Sequence, residues 1–118
     1  MNDIDGLMIY KQYIELIDYT LMILKKYPKS ERYSLVNDIK NSTYDGIKSI
    51  IVANKEYNKS KRIIVLNDMD NHLKFLKVLI RVSYKQRYIN NKNYSAWSKK
   101  ITNISNLLYG WIKSCLKV

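Results

Sequence analysis

Hydrophobic residues recur at steps of three and four along nearly the whole chain, which is the period of a helix. The first run is Ile9, Tyr13, Leu16, Thr20, Ile23 and Tyr27. Pro28, the single proline, disfavours helical geometry at Tyr27, so a first helix is predicted over about 6–27. Ser30 is the candidate cap of a second helix over about 30–55, with Glu31 in its first turn favoured by the helix dipole. Its inward positions are Leu35, Ile39, Ser42, Gly46, Ile50 and Ala53, and the small residues at 42, 46 and 53 predict a close neighbouring helix. The polar stretch NKEYNKS, 54–60, reads as the next turn.

A third helix is predicted over about 60–88, with Leu66, Met69, Leu73, Leu76, Ile80 and Ser83 as its main stripe. A second apolar set, Ile64, Phe75, Val78 and Val82, falls away from that stripe at roughly 100° per residue. A helix apolar on two sides either meets another subunit or lies against a broader core. Both readings stand on the pattern alone; in a chain this short a subunit interface is favoured, and these four residues are its candidates. After the turn INNKNY, with Asn90 as N-cap, a fourth helix is predicted over about 91–117. Its stripe is Tyr94, Trp97, Ile101, Ile104, Leu108, Trp111 and Cys115. Four long helices joined by three short turns predict an all-α, antiparallel up-down-up-down four-helix bundle, a single domain over 1–118.

Composition agrees and charge adds something new. A chain of 118 residues with 47% hydrophobic content suits one core, and three glycines and one proline suit long elements. The net charge is +11. Residues 1–58 carry eight Lys/Arg and eight Asp/Glu, whereas residues 59–118 carry thirteen against two, and the last acid is Asp70. The natural partner of such a half is a polyanion or an acidic protein surface.

On the third helix Lys74, Lys77, Arg81 and Lys85 form one ridge beside the main stripe. On the fourth, Lys92, Lys99, Lys113 and Lys117 lie opposite the tryptophan stripe, with Ser95, Asn103 and Asn106 among them and no acid between. A solvated helix normally mixes both signs at i,i+4. A lysine- and asparagine-rich composition accounts for abundant lysine, but not for the missing acids. These eight residues are therefore the candidates for phosphate-backbone contact without sequence readout.

Enzyme chemistry finds little support. His72 has no second catalytic group placed near it, and Cys115 falls on an apolar stripe, where a packed thiol is expected. One His, one Cys and scattered carboxylates make no metal site, there are no paired Glu-x-x-His motifs, and no Gly-rich phosphate loop occurs. No catalytic residue, metal or cofactor is expected. The opening MNDIDGLMIY has neither the basic start nor the long apolar run of a secretory leader, and no stretch of 18 apolar residues exists. A single cysteine fits a reducing cytoplasm. Of the eleven tyrosines, Tyr13, Tyr27 and Tyr94 fall on inward stripes, while Tyr10, Tyr19, Tyr44 and Tyr109 are open to an interface role.

YPKSERYSL at the first turn, LKFLKVLIRVSYKQRYI in the third helix and LLYGWIKS near the end occur in an order and spacing that resembles the accessory variability determinant family. These are small four-helix proteins that accompany the reverse transcriptase of diversity-generating retroelements. They are similar in turn to the four-helix proteins encoded in intervening sequences of ribosomal RNA genes. The resemblance runs from about Ile9 to Ser114. It implies a non-catalytic bundle, bacterial, archaeal or phage-encoded, that assembles as a ring-shaped homopentamer. It further implies that the protein binds the reverse transcriptase and RNA, DNA or an RNA/DNA hybrid through a basic surface, and so supports mutagenic cDNA synthesis for target-gene diversification. Pro28, Glu31, Arg32, Arg81, Gly110 and Trp111 match its pattern, as structural rather than catalytic positions. The chain departs at Ser105-Asn106, where a Gly-Arg pair is implied. The alternatives are an intervening-sequence-type protein, or a basic interaction bundle that meets an acidic protein and has no retroelement role.

Overall fold

A computed structural model describes residues 4–117; the first residues of the opening stretch, where no leader is expected, lie outside that range. Four helices carry the fold: α1 (Met8–Leu24), α2 (Leu35–Lys55), α3 (Lys59–Lys85) and α4 (Asn91–Leu116). Short 3-10 turns at Ile4–Gly6 and Lys29–Glu31 precede α1 and α2, and no strand occurs among the described residues. α1 packs on α2 and α4, and α3 packs on the same two, giving a four-helix bundle of 48 × 25 × 22 Å.

The inward stripes meet in one core. Tyr13, Leu16, Ile39, Ile50, Leu66, Met69, Leu76, Trp97, Ile101, Ile104 and Leu108 are fully buried. Burial of such side chains contributes about 1.5–3 kcal/mol each. Two polar pairs cross the core, where low dielectric makes an unpaired group costly. The Trp97 indole N–H donates to Thr20 Oγ1 at 3.0 Å, joining α4 to α1. The Tyr13 hydroxyl donates to the Thr43 carbonyl at 2.6 Å, joining α1 to α2. Gly46 makes that second contact possible, because a Cβ there would lie 1.9 Å from the Tyr13 hydroxyl oxygen.

The helix ends differ from the sequence reading in instructive ways. α1 stops at Leu24 rather than near Tyr27, although Tyr27 still reaches the core from the turn. α2 starts at Leu35, not near Ser30, and Ser30 caps nothing. The cause is Glu31. Instead of entering a helix, its carboxylate accepts the Ser34 hydroxyl at 2.6 Å and the Tyr88 hydroxyl, 57 residues on, at 2.8 Å. The turn between α2 and α3 is shorter than NKEYNKS, since α2 runs on to Lys55 and Asn58 caps α3 by accepting the Lys61 N–H at 3.1 Å. Arg62 reaches back to close α2, donating to the carbonyls of Ala53, at 2.9 Å, and Glu56. The Ala53 carbonyl also accepts the Glu56 N–H at 3.3 Å, so the last turn of α2 is closed from both sides.

α3 ends at Lys85, and its last turn closes with Tyr88 N–H on the Ser83 carbonyl and Arg87 N–H on the Tyr84 carbonyl, both 3.0 Å. This double bond pattern places Arg87 at φ 63°, a left-handed position that glycine usually fills. An arginine there costs about 1 kcal/mol relative to glycine. Asn90 caps α4 as expected, accepting the Asn93 N–H at 2.7 Å.

Candidate nucleic-acid interface

Helix geometry decides which cations share a surface. Lys74, Lys77, Arg81 and Lys85 all stand exposed along one side of α3, the side turned toward α4. Lys77, Val78 and Arg81 form one wall of a groove of about 290 Å³, and Tyr94, Ser98 and Thr102 of α4 form the other. At its end Tyr84 stacks on Tyr94, with ring centroids 4.5 Å apart and planes 8° from parallel. The groove thus offers two cations, two hydroxyls and an aromatic pair, which are the groups that hold a phosphate backbone and an unpaired base.

Lys74 departs from this pattern. Its ammonium lies 2.7 Å from the Asp70 carboxylate, and the Tyr109 hydroxyl donates to the other Asp70 oxygen at 3.1 Å. The hydrogen bond that Lys74 donates to Asp70 raises the pKa of Lys74 and keeps it protonated, but its charge is already matched. The available cations of the ridge therefore begin at Lys77.

Lys92, Lys99 and Lys113 on α4, and Lys117 just past its end rather than within it, are exposed and in no ion pair among the described residues. The exposed Asn103 and Asn106 fill the roughly 21 Å between Lys99 and Lys113, so the lysines form two groups rather than a continuous row. Lys100 lies off this face, with its ammonium 5.4 Å from the centre of the Tyr19 ring. Tyr19 also packs edge-on against Trp97, and Tyr109 holds Asp70, so both serve contacts within the chain.

A second basic region escaped the sequence reading. Lys25, Lys29, Arg32 and Lys40 surround a pocket of about 480 Å³ floored by Leu24, Tyr27, Pro28 and Val36. It lies in the half of the chain whose formal charge is zero, because carboxylates elsewhere in that half cancel these cations in a sum. Counting charge in short windows, which puts four cations against Glu31 alone in residues 25–34, would have found it.

Ile64, Phe75, Val78 and Val82 do not join the core of the chain. They are 69%, 50%, 56% and 39% exposed and follow one another along the outer side of α3. The reading of these four as a broad core face therefore fails within a single chain. The stripe continues toward α2 through a groove of about 650 Å³ containing Val52, Ile64 and Val65, with Asp45, Lys48, Asp68 and His72 around it. His72 Nε2 lies 3.3 Å from the Asp68 carboxylate at the boundary of the core. Cys115 is buried at the far end of the bundle. No three His, Cys, Asp or Glu side chains cluster as a metal site would require, and no helix is long and apolar enough to cross a membrane, among the described residues. At Gly110, nothing lies within 4 Å of where a Cβ would stand, so packing does not require glycine there.

A family model described as bAvd-like matches residues 7–115, nearly the full length of the chain. No match was found among curated proteins.

Proposed function

The chain belongs to the bAvd-like family, and from that premise we propose that it is the non-catalytic accessory protein of a diversity-generating retroelement. In this reading it binds the element's reverse transcriptase and a nucleic acid at once, and supports mutagenic cDNA synthesis. The observation that carries the nucleic-acid part is the α3–α4 surface. Lys77, Arg81, Lys85, Lys92, Lys99, Lys113 and Lys117 stand there without a carboxylate partner among the described residues, and the family match covers all of them but Lys117. Mutual repulsion among unpaired cations is relieved when a polyanion releases its counterions to them. The grip is on backbone charge, so binding is strong, salt-sensitive and indifferent to sequence. Purified at low ionic strength, the protein is expected to carry nucleic acid, seen as its ultraviolet absorbance, and to lose it in a high-salt wash. A preparation free of nucleic acid at every ionic strength contradicts the reading.

The proposed assembly is a ring-shaped homopentamer of antiparallel up-down-up-down bundles. The up-down order is supported by contacts between the ends of different helices: Arg62 on the Ala53 carbonyl, Thr20 under Trp97, and Glu31 against Tyr88. Self-association is supported by the exposed stripe of Ile64, Phe75, Val78 and Val82, which water disfavours. Five chains of +11 bring roughly +55 of formal charge to one particle, and so a steep salt response. Phe75→Asp combined with Val78→Asp is expected to reduce the mass measured by light scattering to that of one protomer, with the helical circular dichroism retained. An unchanged mass would remove this stripe from the interface.

A further inference from the structure

The α1–α2 and α3–α4 turns lie far apart in sequence and together in space. The Tyr88 hydroxyl bonds Glu31 at 2.8 Å, and the Tyr88 and Tyr27 rings lie 5.5 Å apart. Residues 25–34 and 85–92 hold seven cations between them and one carboxylate, Glu31. Bonds from Ser34 first and then Tyr88 lower the pKa of Glu31, so it stays ionised and is committed to holding the turns together. None of the seven cations is in an ion pair among the described residues.

Two features set this end of the bundle apart from a merely soluble surface. Arg87 occupies a left-handed backbone position at φ 63°, where glycine would relieve strain and asparagine would reduce it. A cation is kept at the apex of the turn against the local backbone preference, a pattern that strained residues at functional sites show. Tyr33 follows Arg32 in the other turn and is 86% exposed, with no ring partner among the described residues. A solvent-facing aromatic among cations offers a stacking platform for an unpaired base.

We propose that this end of the bundle, centred on Arg87 with Lys29, Arg32 and Tyr33, is a second contact surface for single-stranded nucleic acid. The strand that lies along the α3–α4 face continues over the end, with phosphates on the cations and a base on Tyr33. The inference rests on the polyanion-binding reading above, and adds to it a surface, a strandedness and a residue at which stability and binding oppose each other.

The test uses the full chain and a short fluorescein-labelled oligouridylate, titrated by anisotropy at several salt concentrations, with melting followed by circular dichroism. Arg87→Gly is expected to raise the melting temperature by roughly 3–6 °C while weakening binding about three- to tenfold. The slope of log affinity against log salt should become shallower by about 0.7, the share of one single-strand phosphate. Arg87→Lys should bind nearly as the unaltered protein does, because it keeps the charge and the strain. Tyr33→Ala should weaken binding to the oligouridylate more than to duplex RNA. If Arg87→Gly melts higher and binds unchanged, the proposal is overturned while the α3–α4 reading survives. If Lys77→Glu with Arg81→Glu binds unchanged and Arg87→Gly does not, the α3–α4 reading fails and the end surface stands. Competition by polyglutamate as effective as by RNA would reassign the surface to an acidic protein and overturn the proposal.

Discussion

Gly46→Ala is expected to destabilise the protein by about 2–4 kcal/mol, read from the urea midpoint of the helical signal. The sign makes this informative. Alanine in place of glycine inside a helix ordinarily gains about 1 kcal/mol. Here the new Cβ would stand 1.9 Å from the Tyr13 hydroxyl oxygen, 2.5 Å from Cζ and 2.9 Å from Cε2. The ring has nowhere to go. It is fully buried, and its hydroxyl is bound to the Thr43 carbonyl one turn before Gly46. Burial of the phenol also raises its pKa, with the Asp45 carboxylate adding to the effect, so it remains the neutral donor this bond needs. Either α1 withdraws from α2 or the bond breaks in a dry site. Shortening the side chain in the same protein, with Tyr13→Leu, should recover part of the loss, giving a coupling that distant sites do not show. A Gly46→Ala protein as stable as the original would mean that α1 and α2 do not approach as described.

Lys77→Glu with Arg81→Glu is expected to weaken RNA binding by roughly 30- to 300-fold at moderate salt. Both residues are exposed cations on the wall of one groove and neither is in an ion pair among the described residues, so reversal removes two attractions and adds two repulsions. In a ring each change would be repeated in every subunit. Helical content and melting should stay near their original values. Lys74→Gln, one turn away, is the internal control. Its ammonium is already matched by Asp70 at 2.7 Å, so its loss should change affinity far less. Equal losses at Lys74 and at the Lys77–Arg81 pair would show that net charge, rather than this groove, governs binding.

Much of the core was legible because helical burial is a local periodicity. Every residue of the predicted α1 stripe is buried, as is every residue of the main α3 stripe. The small residues of α2 pointed to a close approach, which proved to be Gly46 against Tyr13. The start of α2 was not legible, because Ser30-Glu31 carries the local marks of a helix start. What overrides them is Tyr88, whose hold on Glu31 depends on a turn 57 residues away. The same distance hid the basic end of the bundle, since no count along the chain adds the cations of the first turn to those of the third. The Lys74–Asp70 pair was within reach of sequence, being an i,i+4 neighbour, but was obscured by treating the second half as a region almost without acids. Ile64, Phe75, Val78 and Val82 were legible as a second apolar set away from the main stripe, and they stand exposed on the single chain.

The central claim is that this bundle holds nucleic acid by its backbone charge, and the most direct measurement is RNA affinity as a function of salt. The account predicts a straight line of log affinity against log salt with a slope of magnitude about 4 or more, the same for unrelated RNA sequences, and shallower when Lys77 and Arg81 are reversed. A slope near zero, or steep binding confined to one sequence, would contradict it.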